Sequence, residues 1–192
     1  MLKSVFGLGV LLFAIPSFAA DFSYNFVQAG YQEIDIDDDL LSGFDVDGDG
    51  YFVSGSFELT DNWFVAGGYA SSDFDFGVDL DELSVGAGYH VPLNNNVDFY
   101  GLLSLVRVEV SASGLGSSDE NGYAAEIGVR GMIGDRFELN GSLGYVDLDD
   151  GGDGTAFGAG LLYHFSHAFA AGLALDFEED VKAYGIGVRL YF

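Results

Sequence analysis

The sequence contains no cysteine, so neither a disulfide framework nor thiol chemistry contributes to its stability or activity. Basic residues are scarce as well, because six lysines and arginines stand against 31 aspartates and glutamates, for a formal net charge of −25. Phosphate backbones are bound through basic side chains, and this balance therefore excludes a nucleic-acid partner. After residue 19 no run of about 18 apolar residues occurs, which excludes a transmembrane helix from the rest of the chain.

The first 19 residues have the features of a secretory signal. Lys3 gives a positive start, residues 5–15 form an apolar stretch, and Ser17-Phe18-Ala19 places small residues at the two positions that signal peptidase reads. The alternative, a membrane anchor that is retained, is disfavoured by the polar chain that follows at once. We expect a signal peptide over residues 1–19 and one domain over residues 20–192.

The full 192-residue sequence is strongly acidic yet has a positive mean hydropathy of +0.25, which suits a membrane barrel with polar loops better than a soluble protein. The chain after residue 19 resolves into segments of about ten residues in which apolar and polar side chains alternate between turn signals. Such segments cross a membrane only as a closed barrel. We therefore predict an all-β, antiparallel, up-and-down transmembrane β-barrel of ten strands, with eight as the alternative. The predicted strands are 22–34, 50–60, 63–72, 81–91, 97–110, 122–133, 136–146, 155–165, 168–177 and 182–192.

In two of these predicted strands the alternation does not distinguish the inward face from the outward face. Around Phe26-Val27 in the first strand and Leu105-Val106 in the fifth, both faces are apolar. A β-bulge that changes the phase of the alternation would explain this.

Tight and longer connections alternate along the chain. The tight turns fall at residues 60–62, 92–96, 134–136 and 166–167. The longer connections, at 35–49, 73–81, 111–121, 147–154 and 178–180, hold 20 of the 31 acidic residues and no basic residue. Short periplasmic turns and longer external loops are typical of outer-membrane barrels.

Aromatic residues on the predicted outward face gather at both ends of the strands. Near the short turns lie Phe57, Trp63, Tyr89, Phe99, Phe137, Phe165, Phe169 and Phe192. Near the longer loops lie Tyr31, Tyr51, Tyr69, Tyr123, Tyr145, Phe157 and Tyr184. Within one strand the two sets are about 6–8 residues apart, or roughly 15–20 Å along the membrane normal, as expected for two interfacial girdles.

The signal, the strand endings Gly67-Gly68-Tyr69, Gly88-Tyr89 and Gly144-Tyr145, and a final alternating strand that closes on an aromatic residue occur together here. With these features the chain resembles the small outer-membrane β-barrel proteins of Gram-negative bacteria, the OmpA- and OmpX-like barrels, whose commonest members have eight strands. The resemblance implies contacts with outer-membrane lipid and lipopolysaccharide, and insertion by the barrel-assembly machinery. It also implies that the last strand is the signal which that machinery reads, carried by Tyr184, Ile186, Val188, Leu190 and Phe192.

One segment resembles part of a calcium-binding loop. Residues 45–50 read DVDGDG, which places the oxygen ligands Asp45, Asp47 and Asp49 at alternating positions before a glycine. The twelfth position is Ser56, where an EF-hand needs a bidentate glutamate, and this argues against an EF-hand. Loose binding of Ca²⁺ or Mg²⁺, which would bridge the loops to lipopolysaccharide phosphates, is one interpretation. A solvated, repulsive surface is the other, and no further cofactor is indicated.

Seven charged residues are predicted to point into the barrel, where charges must pair or be hydrated. These are Glu58, Glu82, Glu126, Arg130, Glu138, Asp176 and Arg189. The two arginines face several carboxylates, which favours a salt-bridged polar plug, with a narrow cation-preferring water path as the alternative. Side chains just fill an eight-stranded barrel, and ten strands leave only slightly more room.

Catalysis would require a nucleophile with a base, or an Asp/His pair. His90, His164 and His167 are the only histidines, and all three are predicted at the short-turn rim. The resemblance counts against catalysis there, since the hydrolases and acyltransferases of this class keep the catalytic histidine toward the outer half. We predict a monomeric, non-enzymatic barrel of the outer membrane with a structural role in envelope integrity, or one in contacts with lipopolysaccharide or in adhesion. A small passive channel with cation preference is the alternative, and an enzyme is the remote one.

Overall fold

The computed structural model describes residues 22–36, 46–114, 116–149, 152–178 and 180–192. The expected signal peptide and Asp45 lie outside these residues. Ten strands are present: β1 (Phe26–Ile36), β2 (Val46–Glu58), β3 (Trp63–Phe74), β4 (Val78–Asn94), β5 (Val97–Ala112), β6 (Gly116–Ile133), β7 (Phe137–Leu148), β8 (Gly152–Ser166), β9 (Phe169–Glu178) and β10 (Val181–Tyr191). A 3-10 turn, Asp75–Gly77, joins β3 to β4. Within the described ranges, no helix has the length and apolar character needed to cross a membrane.

The ten strands form one closed antiparallel barrel. Each strand pairs with its neighbours in sequence, and β10 pairs with β1 from Phe26 opposite Tyr191 to Ile36 opposite Val181. Closure leaves no strand edge with unpaired backbone groups. The prediction of a ten-stranded up-and-down barrel is therefore confirmed over the eight-stranded alternative. We call the end that holds residues 22 and 192 the inner end and the opposite end the outer end, following the orientation expected for such barrels.

The last strand shows how the alternation is used. From Tyr184 to the chain end, every second residue is apolar or aromatic, points away from the barrel and is between 41% and 70% exposed, whereas Arg189 points inward and is buried. The outward residues are Tyr184, Ile186, Val188, Leu190 and Phe192. An exposed apolar band around the whole barrel requires an apolar environment, which a bilayer provides.

The first and fifth strands contain no bulge where one was expected. The registers of β1 and β5 with both neighbours run without a shift through Phe26-Val27 and Leu105-Val106. Phe26 and Val106 are buried inside, while Val27 and Leu105 face outward. Both faces are apolar because the lumen itself holds apolar side chains at these levels, so the bulge interpretation was wrong.

Toward the outer end the strands run farther than predicted. β5 continues to Ala112 and β6 begins at Gly116, so most of the predicted loop 111–121 is paired sheet. In these extensions the alternation reverses its polarity: Asp147 faces outward, whereas Val146 and Leu148 are buried inside. Pairing satisfies the backbone there, and the apolar residues gain a buried position that a free loop does not offer.

Two apolar clusters fill the lumen near its ends. The outer cluster comprises Ile34, Phe74, Leu80, Val106, Val108, Ala124, Val146, Leu148 and Ala183, with Ile36, Val46, Val78, Val110 and Val181 packed against it. The inner cluster comprises Tyr24, Phe26, Phe64, Ala66, Tyr100 and Leu102, with Tyr191 packed against it. The interior is therefore packed at both ends.

Candidate functional site: the closed lumen and the acidic outer rim

The seven charged residues predicted to face the lumen lie on the inward faces of their strands. Glu58 is the most accessible, with a side chain that is 25% exposed at the inner end. The other six are buried, namely Glu82, Glu126, Arg130, Glu138, Asp176 and Arg189. Burial of this many charges is costly unless they are paired or hydrated.

Arg130 and Glu138 form the centre of one network at the inner end. Both are fully buried, and Nη2 of Arg130 lies 3.3 Å from Oε1 of Glu138. The second carboxylate oxygen of Glu138 lies 3.2 Å from Nε2 of His164. The inward faces of β6, β7 and β8 thus bring a guanidinium, a carboxylate and an imidazole together, as the salt-bridged plug requires.

A second network lies on the other side of the inner end. Nδ1 of His90 is 3.1 Å from the fully buried carboxylate of Asp98, and its Nε2 is 3.8 Å from Glu58. The hydroxyl of Tyr24 donates to the same Asp98 carboxylate at 3.0 Å. His90 and His164 are therefore buried at the inner end, and His167 is exposed in the turn between β8 and β9.

Arg189 connects β10 to β1, the two strands whose pairing closes the barrel and forms its closing seam. Its Nε donates to the side-chain oxygen of Gln28 at 2.9 Å, directly across the β1–β10 pairing. The guanidinium also lies over the ring of Phe26, 4.3 Å from its centre. A partner in the seam strand was not anticipated, since the sequence pointed to carboxylates alone.

Among the cavities lined by described residues, two small ones lie at mid-height and have volumes of about 40 and 50 Å³. Both touch Phe52; the smaller is lined by Asp176 and Arg189, and the larger by Glu82 and Glu126. Each has room for only a few water molecules. The hydroxyl of Tyr100 donates to Glu126 at 2.6 Å, so this acid is partly satisfied from the inner side.

Residues 22–25 were predicted to begin the first strand, but β1 starts at Phe26. Phe22 and Tyr24 instead enter the inner mouth, where both are buried. The ring of Tyr24 stacks on Phe64 at 4.3 Å between centres. The sequence carried a signal for this, because Phe22, Tyr24 and Phe26 share the parity of the lumen-facing Gln28.

At the outer end, acidic side chains on the outward face stand directly opposite one another. We call two such runs the outer acidic rows. The first pairs Glu33 with Asp49, Asp49 with Asp73 and Asp73 with Asp79, and the second pairs Asp81 with Glu109 and Glu109 with Asp119. Directly opposed side chains on one face lie about 5 Å apart, so like charges there destabilise the sheet.

Some of the rim acids have partners. Asp119 pairs with Arg107 at 3.0 Å, with both side chains about half exposed. The hydroxyl of Tyr69 donates to Asp81 at 2.6 Å. The hydroxyl of Tyr123 donates to Asp147 on the next strand, also at 2.6 Å. Phenol groups thus satisfy acids just above the apolar band.

The Asp-rich segment does not form a calcium-type loop where the structure describes it. Asp47 and Asp49 lie on the outward face of strand β2, which begins at Val46. In the part of the chain that the structure describes, no group of three or more acidic or histidine residues is arranged to hold a metal ion. Loose binding of a divalent cation by Asp45, Asp47 and Asp49 stays a prediction.

The closed ten-stranded barrel, its apolar outer band and its packed lumen with buried charged networks define the class of transmembrane β-barrels. Residues 6–165 match the family described as "Outer membrane protein beta-barrel domain", and the chain belongs to this family. Membership places the protein among outer-membrane barrels, as the resemblance implied. No curated protein sequence matches the chain significantly.

Solved structures with a similar fold are small outer-membrane barrels. The translocator domain of the autotransporter NalP from Neisseria meningitidis has a TM-score of 0.50 and 13% identity, covering 88% of this chain and 89% of that one. The NanC porin has a TM-score of 0.48 and 13% identity, covering 88% and 100%. Ail, the attachment invasion locus protein of Yersinia pestis, has a TM-score of 0.45 and 19% identity, covering 88% and 100%. At these identities the likeness concerns the fold alone.

Proposed function

We propose that this protein is a closed, non-enzymatic, monomeric barrel of the outer membrane with a structural and surface-interaction role. The observation that carries the proposal is the filling of the lumen at both ends. The outer cluster is built of aliphatic residues and one phenylalanine, and the inner end holds the Arg130–Glu138–His164 network among buried aromatic rings. A lumen packed in this way stabilises the barrel and opposes the flow of ions.

The placement in the membrane follows from the outward face. Trp63 and Phe137 are exposed on that face near the inner end, and Tyr51 and Tyr123 near the outer end. Amphipathic rings favour the two membrane interfaces, so these aromatic residues would form the girdles and an amino-terminal signal would direct export. Outer-membrane lipid would then cover the aliphatic band between them.

The outer acidic rows support contacts with lipopolysaccharide through divalent cations. The opposed carboxylates of Asp49 and Asp73 repel each other and would repel anionic lipopolysaccharide as well. Ca²⁺ or Mg²⁺ prefers oxygen ligands and would relieve both repulsions. Adhesion to a partner through the same rim would use the same charges.

Urea unfolding of the refolded protein, with and without Mg²⁺, tests the role of these rows. We expect Mg²⁺ to raise the unfolding midpoint of the native chain and to raise it less for the double variant Asp49→Asn with Asp73→Asn. Asp135→Asn, in an exposed turn at the inner end, is the matched control and should keep the full Mg²⁺ response. An unchanged Mg²⁺ response in the double variant would contradict cation binding by these rows.

A passive channel with cation preference is the second candidate. The observation that favours it is the lining of the mid-height cavities, to which Glu82, Glu126 and Asp176 contribute carboxylates. Recordings in planar bilayers distinguish the two proposals. We expect no stepwise openings from the native barrel, whereas cation-preferring steps would establish the channel in place of the closed lumen.

The non-enzymatic proposal has its own test. We expect no hydrolysis of lipid or peptide by the refolded barrel. Hydrolysis that is lost in His90→Ala or His164→Ala would show that the buried histidines are catalytic.

A further inference from the structure

We propose that residues 22–25 form a strap that closes the inner mouth of the lumen and withdraws as a unit. Withdrawal leaves the outer cluster in place, so the barrel then becomes a cup that opens only at its inner end. This goes beyond the closed-lumen proposal, because it identifies which of the two closures is removable.

The strap fills the mouth with aromatic side chains. Tyr24 is fully buried, with its ring 4.3 Å from that of Phe64 and 4.2 Å from that of His90. Its hydroxyl donates to the buried carboxylate of Asp98. The strap thus contacts lumen side chains of three strands, Phe64 of β3, His90 of β4 and Asp98 of β5.

The strap also covers the central arginine of the inner network. The guanidinium carbon of Arg130 lies 5.0 Å from the ring centre of Phe22 and 4.8 Å from that of Tyr24. Its Nη1 atom is buried beneath these rings. Removal of the two rings would therefore give water access to a buried cation that is only partly satisfied by Glu138.

Residues 22–24 of the strap are held by side-chain contacts, and Asn25 is joined to the sheet by a backbone hydrogen bond, which the N–H of Phe192 donates to its carbonyl at 3.1 Å. The strand pairings of β1 begin at Phe26 on both sides. The junction is fixed by Asn25, which donates to the Glu58 carboxylate at 3.0 Å and accepts from the Glu58 backbone at 3.0 Å. Because residues 22–24 take no part in the ladder, they can leave the mouth without breaking the barrel pairing.

The outer end has a different construction. The outer cluster consists entirely of strand residues, which the barrel pairing fixes, whereas the inner cluster includes Tyr24 of the strap beside its strand residues. Between it and the strap lie the two mid-height cavities, lined by Glu82, Glu126, Asp176 and serine hydroxyls. A cup opened by withdrawal of the strap would thus admit small polar solutes and would favour cations.

The absence of native cysteine allows a direct test. Ser104→Cys places a thiol at the wall of the larger cavity, and a cationic, membrane-impermeant methanethiosulfonate probes its access. We expect slow modification in the otherwise native refolded barrel and at least tenfold faster modification when Phe22→Ala and Tyr24→Ala are added. Asn25→Ala, which loosens the tether without changing the lumen, should give a smaller increase and serves if the double variant does not fold.

Two further thiols act as controls. Ser113→Cys, in an exposed outer turn, should react rapidly in every background, and Val106→Cys, in the outer cluster, should stay protected in every background. Equal modification rates at Ser104→Cys with and without the strap side chains would overturn the proposal. So would faster modification of Val106→Cys in the strap variant. Stepwise current from the native barrel would refute the closed lumen while leaving the strap to be judged by the labelling rates.

Discussion

The substitution Arg130→Met tests the inner network most directly. It removes a fully buried guanidinium and leaves the fully buried Glu138 carboxylate with His164 as its neighbour at 3.2 Å. Removal of one partner from a buried ion pair typically costs about 3–5 kcal/mol, because the remaining charge stays desolvated. The ring contacts with Phe22 and Tyr24 are lost as well, each worth up to about 2 kcal/mol where water is excluded. We therefore expect a loss of unfolding free energy at the upper end of that range.

The companion variant separates the charge from the packing. In Arg130→Met with Glu138→Gln, a neutral amide replaces the buried carboxylate. This amide can still form a hydrogen bond with His164. We expect the double variant to be more stable than Arg130→Met alone, because the uncompensated charge is gone. This ordering is the opposite of what two independent losses would produce.

The assay is equilibrium urea unfolding of the refolded barrel in lipid vesicles. Trp63, the sole tryptophan, lies on the outward face and is 52% exposed, so its fluorescence reports departure from the apolar environment. A loss below about 1 kcal/mol for Arg130→Met would refute the idea that the network is a stabilising plug. So would further destabilisation on addition of Glu138→Gln.

The remaining predictions concern other parts of the barrel. Gly128→Ala should destabilise the fold strongly, since a methyl group there would overlap the buried Tyr100 ring, whereas the nearest described atom to a methyl group in Gly141→Ala is 3.9 Å away and this variant should be close to neutral in the same unfolding assay. Arg107→Ala should change the unfolding free energy by less than about 1 kcal/mol, because its ion pair is about half exposed; a loss as large as that of a buried pair would contradict this. Deletion of Phe192 should leave unfolded precursor in the periplasm, and normal heat-modifiable migration of that variant would argue against a role in the assembly signal.

The fold was predictable because the same alternation of apolar and polar residues recurs in most of the ten strands. Alternation with period two fixes which side chains face lipid, and the inward placement of charged residues such as Glu82 and Arg130 follows from the same parity. The side chains that these inward charges contact did not follow from the parity of the alternation. Gln28 and Arg189 meet only because the register of the closing seam sets them opposite each other, and the sequence contains no local signal for that register.

The strand ends and residues 22–25 were harder to predict for a different reason. Acid-rich sequence was interpreted as loop, yet Asp79 and Asp81 occupy a paired strand because Leu80 between them is buried in the outer cluster. Composition alone cannot distinguish an acidic loop from a strand whose outward face is acidic. Only the alternation with apolar residues does so, and it has the opposite polarity to that of the membrane segments.

That reversal of polarity explains why one sheet can serve two environments. Along β1 the outward residues change from Val27 through Tyr31 to Glu33, while the inward residues change from Gln28 and Gln32 to Ile34. At the outer end the lumen is filled by apolar side chains that exclude water, and the acidic exterior is exposed to solvent and not to lipid. This part of the barrel is therefore built like a soluble barrel. The pairing continues unbroken from one part to the other, and the outer closure is therefore as permanent as the sheet itself. At the inner end, residues 22–24 lie outside the strand pairings and complete a cluster of strand residues, so any opening of this barrel should begin there.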